Sequence, residues 1–483
     1  MAVNRVSDVE IAALPIERFE GVLDGDRYRG FVAATRLGRE LLEGRVVYNV
    51  NSTARGGGVA EMLRSLIAYA RGAGVDARWL VIGGDADFFR VTKRIHNHLH
   101  GAGGDGGELG ENERTVYENT LRACAEELAG RITARDIVLL HDPQTAGLAE
   151  SIKEAGAIVI WRCHVGVDVP NELSRAAWRF LIPYVTHADG VVFSREAFEW
   201  EGLDPARTTI IHPSIDAFSP KNQEMDAATV AAIVTTSGLL QGTAQQTPSF
   251  IRIDGSHSQV ARPAEYHDGG TPPPADATIV TQVSRWDRLK DPVGVIEGFA
   301  RYVAPETDAH LIVAGPAVSA VSDDPEGADV LEESRATWSQ LSEDMRARIH
   351  LATLPMDDGE ENAAIVNALQ RRSHVVVQKS LAEGFGLTVA EAMWKGRPVV
   401  ASKIGGIQDQ ISHGETGVLV DDAGDLQAYG AAVLALLKDP ARAQRIGAAA
   451  RERVRDEFLG ARHLMQYVDL IGRLSAATEG GRG

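Results

Sequence analysis

Short β-branched runs alternate with amphipathic stretches along the chain, starting near Arg45. The apolar runs of this first alternation lie at 46–49, 79–82, 137–140, 158–161, 191–193 and 209–211. Continuous apolar strands separated by helical patterns are typical of a parallel sheet that is covered on both faces. The clearest helix spans residues 59–70, where apolar side chains recur at the spacing of one buried stripe before Gly72 and Gly74.

The pattern breaks around residues 256–275, where Gly269, Gly270 and three consecutive prolines predict an exposed linker or insertion. A second alternation follows, with apolar runs at 279–283, 310–313, 349–352, 374–377 and 398–401 and helical patterns at 293–302 and 362–371. We therefore predict an α/β protein of two doubly wound, parallel-sheet (Rossmann-like) domains facing a cleft, with ligand bound at the carboxyl ends of the strands.

The predicted boundaries follow from these breaks in the pattern. They are an N-terminal extension packed on the first domain (1–44), a first domain (45–275) with an irregular insertion at about 228–275, a second domain (276–460), and a C-terminal helix and tail (461–483). The pattern leaves open on which domain the last helix packs.

Composition narrows the class of protein. The chain has 483 residues, and 49 Lys and Arg stand against 67 Asp and Glu, which gives a net charge of −18. This charge opposes binding to nucleic acid or anionic lipid, because both need a basic face. No apolar run approaches the roughly 18 residues of a membrane span, and the first twenty residues do not resemble a secretory signal, so we expect a cytoplasmic protein. The two cysteines are too few for a disulfide framework.

A glycine-rich segment, residues 51–58, lies between a predicted strand and a predicted helix. Its glycines, Gly57 and Gly58 among them, allow close approach of a ligand, and the following helix start offers free N–H groups to a phosphate. The spacing matches neither a dinucleotide-binding nor a Walker motif. A tight turn without a ligand remains the alternative.

A basic segment, residues 284–291, follows the first strand of the second alternation. Arg285 and Lys290 are able to reach one oxyanion from two directions. At ~4 Å and an effective dielectric constant near 20, each cation contributes about 4 kcal/mol of attraction. The alternative is a solvated charge cluster.

Two carboxylates, Glu383 and Glu391, flank a third segment that follows an apolar strand and opens a helix. The backbone N–H groups of Gly386, Leu387 and Thr388 are predicted at the helix start, where a phosphate binds favourably. A glycosidase pair would need both carboxylates at one bond. The helix start between them argues against that arrangement.

Taken together, these motifs resemble the retaining glycosyltransferases of the GT-B fold, glycosyltransferase family 4 type, to which sucrose synthase and glycogen synthase belong. More specifically, the chain resembles the trehalose glycosyltransferring synthases and the retaining trehalose phosphorylases in residues 51–61, 88–93, 141–144, 161–165 and 282–286. The resemblance runs from about residue 45 to about residue 421.

The resemblance implies a nucleotide-sugar site in the second domain. Arg285 and Lys290 would hold the donor diphosphate, Glu383 would accept hydrogen bonds from the donor sugar, and Glu391 would bind the ribose. The amides of residues 384–387 would hold sugar and phosphate; the segment comprises Gly384, Phe385, Gly386 and Leu387, with Thr388 next to it. Arg288 and Leu289 lie inside the basic motif and leave the choice of base open.

On the acceptor side, the resemblance implies that His164 lies beside the anomeric centre. Asp142, Gln144 and Lys93 would contact the acceptor, and Gly57 and Gly58 would close over phosphate and acceptor. Members of such families retain anomeric configuration without an evident protein nucleophile and without a required cofactor or metal.

The function expected from this resemblance is transfer of glucose from a nucleoside-diphosphate glucose to free glucose, which makes trehalose. A retaining trehalose phosphorylase, a transferase with another acceptor, and a two-lobed sugar-binding protein are the alternatives. The expected partners are small sugars and a nucleotide sugar, with no nucleic acid and no membrane. The sequence leaves the nucleotide base and the oligomeric state open, a homodimer being one option.

Three histidines, His96, His98 and His100, alternate along one segment, and His96 and His100 would share a face of a helix. A zinc site needs a third ligand and usually a fourth, and the acidic, glycine-rich stretch that follows offers no obvious one, so we expect no metal site.

Overall fold

The computed structural model describes residues 5–54, 57–267, 270–317 and 326–480. Arg55 and Gly56 of the glycine-rich segment and Gly269 of the predicted linker lie outside these residues. The chain forms two compact units, one made of residues up to 214 together with those from 458 onward, and one made of residues 215–457. Within the described ranges, no helix combines the length and the apolar character that crossing a bilayer requires.

The first unit is a seven-stranded sheet with helices on both faces. Its strand order is β1-β3-β2-β4-β5-β6-β7, and all neighbouring pairs are parallel except β1 with β3. Its elements are β1 (Val6–Val9), α1 (Gly25–Leu41), β2 (Val47–Asn51), α2 (Gly57–Gly72), β3 (Ala77–Ile82), α3 (Ala86–Leu99), α4 (Glu111–Leu128), β4 (Ile137–His141), α5 (Ala149–Glu154), β5 (Ile158–Cys163), α6 (Glu172–Val185), β6 (Gly190–Phe193) and β7 (Thr208–Ile210).

The second unit has the same architecture. Its seven-stranded sheet has the order β10-β13-β12-β11-β14-β15-β16, and only β10 is antiparallel to its neighbour. Its elements are α7 (Ala227–Thr236), β8 (Ser249–Ile251), β9 (His257–Gln259), β10 (Glu265–Tyr266), β11 (Ile279–Val283), α8 (Pro292–Gly298), β12 (His310–Pro316), α9 (Glu326–Ser339), α10 (Glu343–Arg346), β13 (Ile349–Leu354), α11 (Gly359–Arg372), β14 (Val375–Gln378), α12 (Leu387–Trp394), β15 (Val399–Ser402), α13 (Ile407–Gln410), β16 (Val418–Val420), α14 (Leu426–Lys438) and α15 (Pro440–Glu457).

The last helix, α16 (Gly460–Gly480), belongs to the first unit. It packs along α1, where Val468 lies against Gly38 so closely that an added Cβ at Gly38 would come within 2.8 Å of it. Leu470 and Ile471 are buried with Ile137 and Ile160 of the sheet. The sequence left the location of this helix open, and its apolar stripe is buried on the first sheet.

The two parallel sheets that the sequence predicted are confirmed, but residues 215–275 lie with the second unit and not with the first. In that segment, α7 packs on α11, and Val230 and Ile233 are buried in one cluster with Ile365. β10 then extends the second sheet as an antiparallel edge strand on β13. The predicted insertion therefore covers one face and one edge of the second sheet.

Candidate active site

Two of the sequence-predicted motifs of the second unit follow strands that are neighbours in its sheet. β11 pairs with β14 in parallel, through Val280 with Val375 and Thr281 with Val376. The basic segment follows β11, and the segment containing Glu383 follows β14. Because the order of connection reverses at this point in the sheet, the carboxyl ends of these two strands form the crevice at which doubly wound sheets bind ligands.

The centre of this crevice is an ion pair. Lys290 Nζ lies 2.5 Å from Glu383 Oε2, and both side chains are mostly buried. Ser380 Oγ donates to the same carboxylate oxygen at 3.3 Å. The two loops are also joined through the backbone, because the Leu381 amide donates to the Leu289 carbonyl at 2.7 Å. The structure thus brings two predicted site residues from different motifs into direct contact.

A second ion pair, with a more deeply buried lysine, lies next to Lys290. Lys379, only 2% exposed, forms an ion pair with Asp291, which is the next residue after Lys290. Asp291 adopts a left-handed backbone conformation, φ 48°, and its other oxygen accepts from the Gly294 amide at the start of α8. Gln282 donates to the Lys290 carbonyl at 2.9 Å. These contacts fix the backbone from which the Lys290 side chain extends.

The two arginines of the basic segment have different surroundings. Arg285 is exposed and donates to Asp287 at 3.1 Å. Arg288 lies in a single 3-10 turn and forms ion pairs with Glu326 and Glu333 of α9. Its guanidinium is therefore engaged by carboxylates of a neighbouring helix.

The loop from Gly384 to Thr388 is held by the segment that follows β15. Gly386 is the N-cap of α12 with φ 81°, a conformation that glycine adopts readily. A Cβ at Gly405 would lie 1.8 Å from the Glu383 carbonyl oxygen, so only glycine allows this approach. Gln410 Nε2 donates to the Phe385 carbonyl at 2.5 Å, and Thr388 Oγ1 donates to Gln378 at 3.2 Å. The amides of Leu387 and Thr388 lie in the first turn of α12, as the sequence predicted.

Glu391 has separate surroundings from Glu383. It is 1% exposed within α12, and its Oε1 lies 3.4 Å from Lys221 Nζ. The two carboxylates of the motif therefore have different cationic partners, Lys221 for one and Lys290 for the other.

In the first unit, Asp142 and His164 also follow neighbouring strands, β4 and β5. Asp142 has φ 65°, and its Oδ1 accepts from the His164 amide at 2.8 Å. Burial raises the pKa of the Asp142 carboxyl from 3.8 to about 7, although this hydrogen bond and the charge of Arg162 act in the opposite direction. The carboxyl is thus able to hold or release a proton near neutral pH.

The His164 ring is part of a polar network of side chains. His141 Nδ1 lies 3.3 Å from His164 Nε2, and His141 Nε2 lies 3.1 Å from Asn49 Oδ1. Arg162 Nε donates to His164 Nε2 at 3.1 Å. Burial, and then the charge of Arg162, hold the pKa of His164 well below its usual range, and the same causes lower that of His141 to about 3. Both rings are therefore neutral near pH 7.

The other predicted residues of the first unit lie at separate positions. Gly57, with φ 75°, and Gly58 begin α2 and are exposed. Lys93 is exposed on α3, and Gln144 lies in the turn after β4. In the part of the chain that the structure describes, neither Lys93 nor Gln144 hydrogen-bonds to His164 or Asp142. His96 and His100 meet edge to face at 4.9 Å, and no group of three or more His, Cys, Asp or Glu able to hold a metal occurs among the described side chains.

Sequence reasoning missed several residues of these clusters, among them Asp291, Lys379, Arg162, His463 and Tyr467. Asp291 is the last residue of the basic segment, directly after Lys290. Lys379 comes directly after β14, so a lysine at the end of an apolar strand was the available signal. Arg162 carries a similar signal, because it interrupts the apolar run of β5. His463 and Tyr467 bind Arg162 from α16, some three hundred residues away along the chain, and their four-residue spacing gave no local signal.

Comparison with known proteins agrees with this architecture. The family described as "Trehalose synthase, N-terminal domain" matches residues 49–199, and the family "Glycosyl transferases group 1" matches residues 267–453. A trehalose synthase of Pyrococcus horikoshii is 36% identical over 435 residues, which covers 90% of this chain and 91% of the relative. A trehalose phosphorylase of Pleurotus pulmonarius is 26% identical, and the match covers 88% of this chain but 57% of the relative.

Among solved structures, an α,α-trehalose-phosphate synthase (UDP-forming) from Burkholderia xenovorans, in complex with glucose-6-phosphate, has a TM-score of 0.64 at 14% identity, covering 88% of this chain and 100% of that one. This likeness shows the GT-B fold. The resemblance drawn from the sequence motifs is confirmed by the full-length similarity to the Pyrococcus protein. The chain is a glycosyltransferase that belongs to the trehalose synthase family.

Proposed function

We propose that the protein transfers glucose from a nucleoside-diphosphate glucose to free glucose, with retention of configuration, and so makes trehalose. The observation that carries this proposal is the similarity to a trehalose synthase at 36% identity over nine-tenths of both chains. The ion pair of Lys290 and Glu383 at the switch point of the second sheet supplies the chemistry.

On the donor side, Lys290 and Arg285 hold the diphosphate. Lys290 has three donors, so it is able to bind a phosphate oxygen while it remains paired with Glu383. The exposed Arg285 exchanges its partner Asp287 for a second phosphate oxygen. Glu383 then accepts hydrogen bonds from hydroxyls of the glucosyl group, and its position is fixed by Ser380.

The loop before α12 completes the donor site. The amides of Gly384, Phe385, Gly386, Leu387 and Thr388 point their partial positive charge toward a phosphate or a sugar oxygen at the start of this helix. Glu391, farther along α12, binds the ribose hydroxyls of the nucleotide.

The chemical step breaks the bond between the anomeric carbon and the diphosphate oxygen, and the bonding electrons leave with the diphosphate. The acceptor hydroxyl forms the new bond on the same face of the sugar, and its proton passes to a diphosphate oxygen. Negative charge develops on the leaving group, so cations placed beforehand at Arg285 and Lys290 lower the barrier.

On the acceptor side, His164 contacts the donor sugar near the anomeric carbon as a neutral imidazole. A charged ring there would repel the positive character that develops on the sugar. Asp142, Gln144 and Lys93 contact the acceptor glucose, and Gly57 and Gly58 close over the phosphate.

A trehalose phosphorylase is the second candidate, and the similarity to the Pleurotus enzyme favours it. In that reaction Lys290 and Arg285 would hold inorganic phosphate, and glucose would leave trehalose as glucose 1-phosphate. The buried Glu391 would then have no ribose to bind.

The test is an activity screen of the purified protein. In one set of reactions UDP-, ADP- and GDP-glucose are each combined with glucose or glucose 6-phosphate, and in a parallel reaction trehalose is combined with inorganic phosphate. The expected product from a nucleotide sugar and glucose is trehalose in the α,α configuration, read by NMR. Phosphate-dependent cleavage of trehalose without any use of nucleotide sugars would select the phosphorylase. Glucose 6-phosphate as the sole effective acceptor would contradict the proposed acceptor.

A further inference from the structure

Arg162 is a fully buried cation beside His164. Its exposure is 0%, and it lies on β5, two residues before His164. Nε donates to His164 Nε2 at 3.1 Å, Nη1 donates to His463 Nε2 at 3.1 Å and to the Tyr467 hydroxyl at 2.7 Å, and Nη2 donates to the Ile211 carbonyl at 3.0 Å. The guanidinium therefore joins the His164 ring to the C-terminal helix.

This arrangement is unusual for a buried charge. In the described part of the chain, Arg162 forms no ion pair with a carboxylate, although Asp142 is close enough for the two charges to interact. A buried charge that lacks a directly bonded counterion is costly, so stability alone does not account for an arginine at this position. A role in the site does account for it.

The direction of the hydrogen bonds limits the state of both rings. A guanidinium only donates, so a histidine nitrogen that accepts from it must carry a lone pair. Arg162 Nε lies 3.1 Å from His164 Nε2 and 3.4 Å from His164 Nδ1, so at least one of these nitrogens carries a lone pair, as does His463 Nε2. The His463 ring then has its proton on Nδ1, which lies 2.8 Å from Ser214 Oγ. The imidazolium form of His164 is incompatible with this geometry. The titratable and charged groups that face His164 are His141 and Asp142 from β4 and its end, Arg162 from β5 and His463 from α16.

The far side of the network is apolar. His141, His463 and Tyr467 border a cavity of about 90 Å³ that is otherwise lined mainly by apolar side chains, most of them from α2 and α16. Water in such a cavity finds few partners, so solvent does not readily replace the contacts that Arg162 makes.

We propose that Arg162 is a positioning residue, which holds the His164 ring in one orientation and is itself anchored by His463 and Tyr467 of the C-terminal helix. This inference rests on the proposed function, in which His164 contacts the donor sugar. It makes α16 a structural part of the site, although its residues touch no substrate.

The first experiment compares Arg162→Met, Arg162→Lys and Tyr467→Phe with the exposed control Arg175→Met. We expect kcat to fall about 10- to 100-fold in Arg162→Met, with KM for both substrates within about twofold, as for other residues that orient a reacting group. Arg162→Lys is not expected to rescue kcat, because a single ammonium does not reach His164 and His463 together. Tyr467→Phe keeps the guanidinium and should lower kcat about three- to tenfold.

The second experiment needs no substrate. In protein labelled with ¹⁵N-histidine, the His164 signals are assigned by their loss in His164→Gln and followed from pH 5 to 8. We expect one fixed neutral tautomer in the wild type, and a mixture of tautomers in Arg162→Met and, less so, in Tyr467→Phe.

Unchanged His164 signals together with kcat within twofold in both variants would overturn the proposal. If the wild type makes no trehalose, the proposed function fails, whereas the ring signals still decide whether Arg162 positions His164. If Arg162→Met does not fold, Tyr467→Phe carries both tests.

Discussion

The polar clusters at the strand ends of the two units compensate their charges in opposite ways. In the cluster of the second unit, two lysines face carboxylates, Lys290 with Glu383 and Lys379 with Asp291. In the first unit the buried guanidinium of Arg162 faces imidazole rings, a phenol and a backbone carbonyl. One cluster is thus built from ion pairs and the other from neutral acceptors around a single cation.

This difference corresponds to two kinds of ligand chemistry. Cations that are already paired bind an incoming phosphate by sharing or exchanging a carboxylate, without isolated charges before the ligand arrives. Burial in the first unit favours neutral forms instead, because it lowers the pKa of His141 to about 3 and raises that of Asp142 to about 7. Neutral donors and acceptors suit sugar hydroxyls. We infer that the ionic and the neutral parts of the reaction are divided between the two units.

The largest expected effect concerns the buried pair of the second unit. Asp291→Asn keeps the acceptor for the Gly294 amide but removes the counterion of Lys379, so we expect the free energy of unfolding to fall by about 3 kcal/mol or more. Urea denaturation measures it. Asp421→Asn, which removes the partner of the exposed Lys403, is the control and should have little effect. Equal losses in both variants would show that the depth of the pair is unimportant.

Next is the loss of the cation nearest to the proposed diphosphate. Lys290→Met should lower kcat/KM for the nucleotide sugar about 100- to 1,000-fold, because the transition state loses a cation aimed at the leaving group. Initial rates measure this effect, with the exposed Lys403→Met as the matched control. A loss below about threefold would contradict the role given to the ionic cluster.

The neutral cluster is tested through its carboxyl group. The pKa of Asp142 is raised from 3.8 to about 7, so this carboxyl group makes the wild type less stable as the pH rises through this interval. Asp142→Asn lacks this contribution. The stability of the variant relative to the wild type should therefore increase between pH 5 and pH 8. Urea unfolding at both pH values measures the difference, and the buried histidines cancel because both proteins contain them. A difference that does not change with pH would argue against a neutral Asp142.

The smallest effect is expected at Arg288, which lies in the basic motif but is paired with Glu326 and Glu333. Arg288→Gln should change KM for the nucleotide sugar less than about twofold, as is usual for an exposed ion pair. Comparison of its KM with that of Arg285→Gln in the same assay separates the two arginines. A larger change in Arg288→Gln would mean that this arginine leaves α9 to bind the donor.

The sequence predicted the two sheets because their strands are continuous apolar runs, such as 137–140 and 279–283, between helical patterns. It missed the edge strands β1 and β10, because a short strand with one neighbour needs no such run. It also assigned the segment around β10 to the wrong unit. The unit to which this segment belongs is decided by the packing of Val230 and Ile233 against α11, and the hydrophobic pattern of the sequence does not reveal this tertiary contact.

For the site, local motifs predicted residues that follow a strand, such as Lys290 and Glu383, and the family resemblance added His164. They predicted neither the pairing between motifs nor the support behind them. The pair of Lys290 with Glu383 depends on the adjacency of β11 and β14, which is a property of the sheet order. The anchoring of Arg162 depends on the surface against which α16 packs. The apolar stripe of a helix predicts that this face is buried, but it does not predict which surface buries it.

The return of α16 to the first unit affects how the protein is made. During synthesis the ribosome completes the whole segment 215–457 before His463 and Tyr467 are available to Arg162. At about 5–20 residues per second, the nascent first unit waits for some tens of seconds with the surface for its last helix uncovered. Translation speed through the second half of the message therefore sets how long this unfinished core is exposed to chaperones or to aggregation.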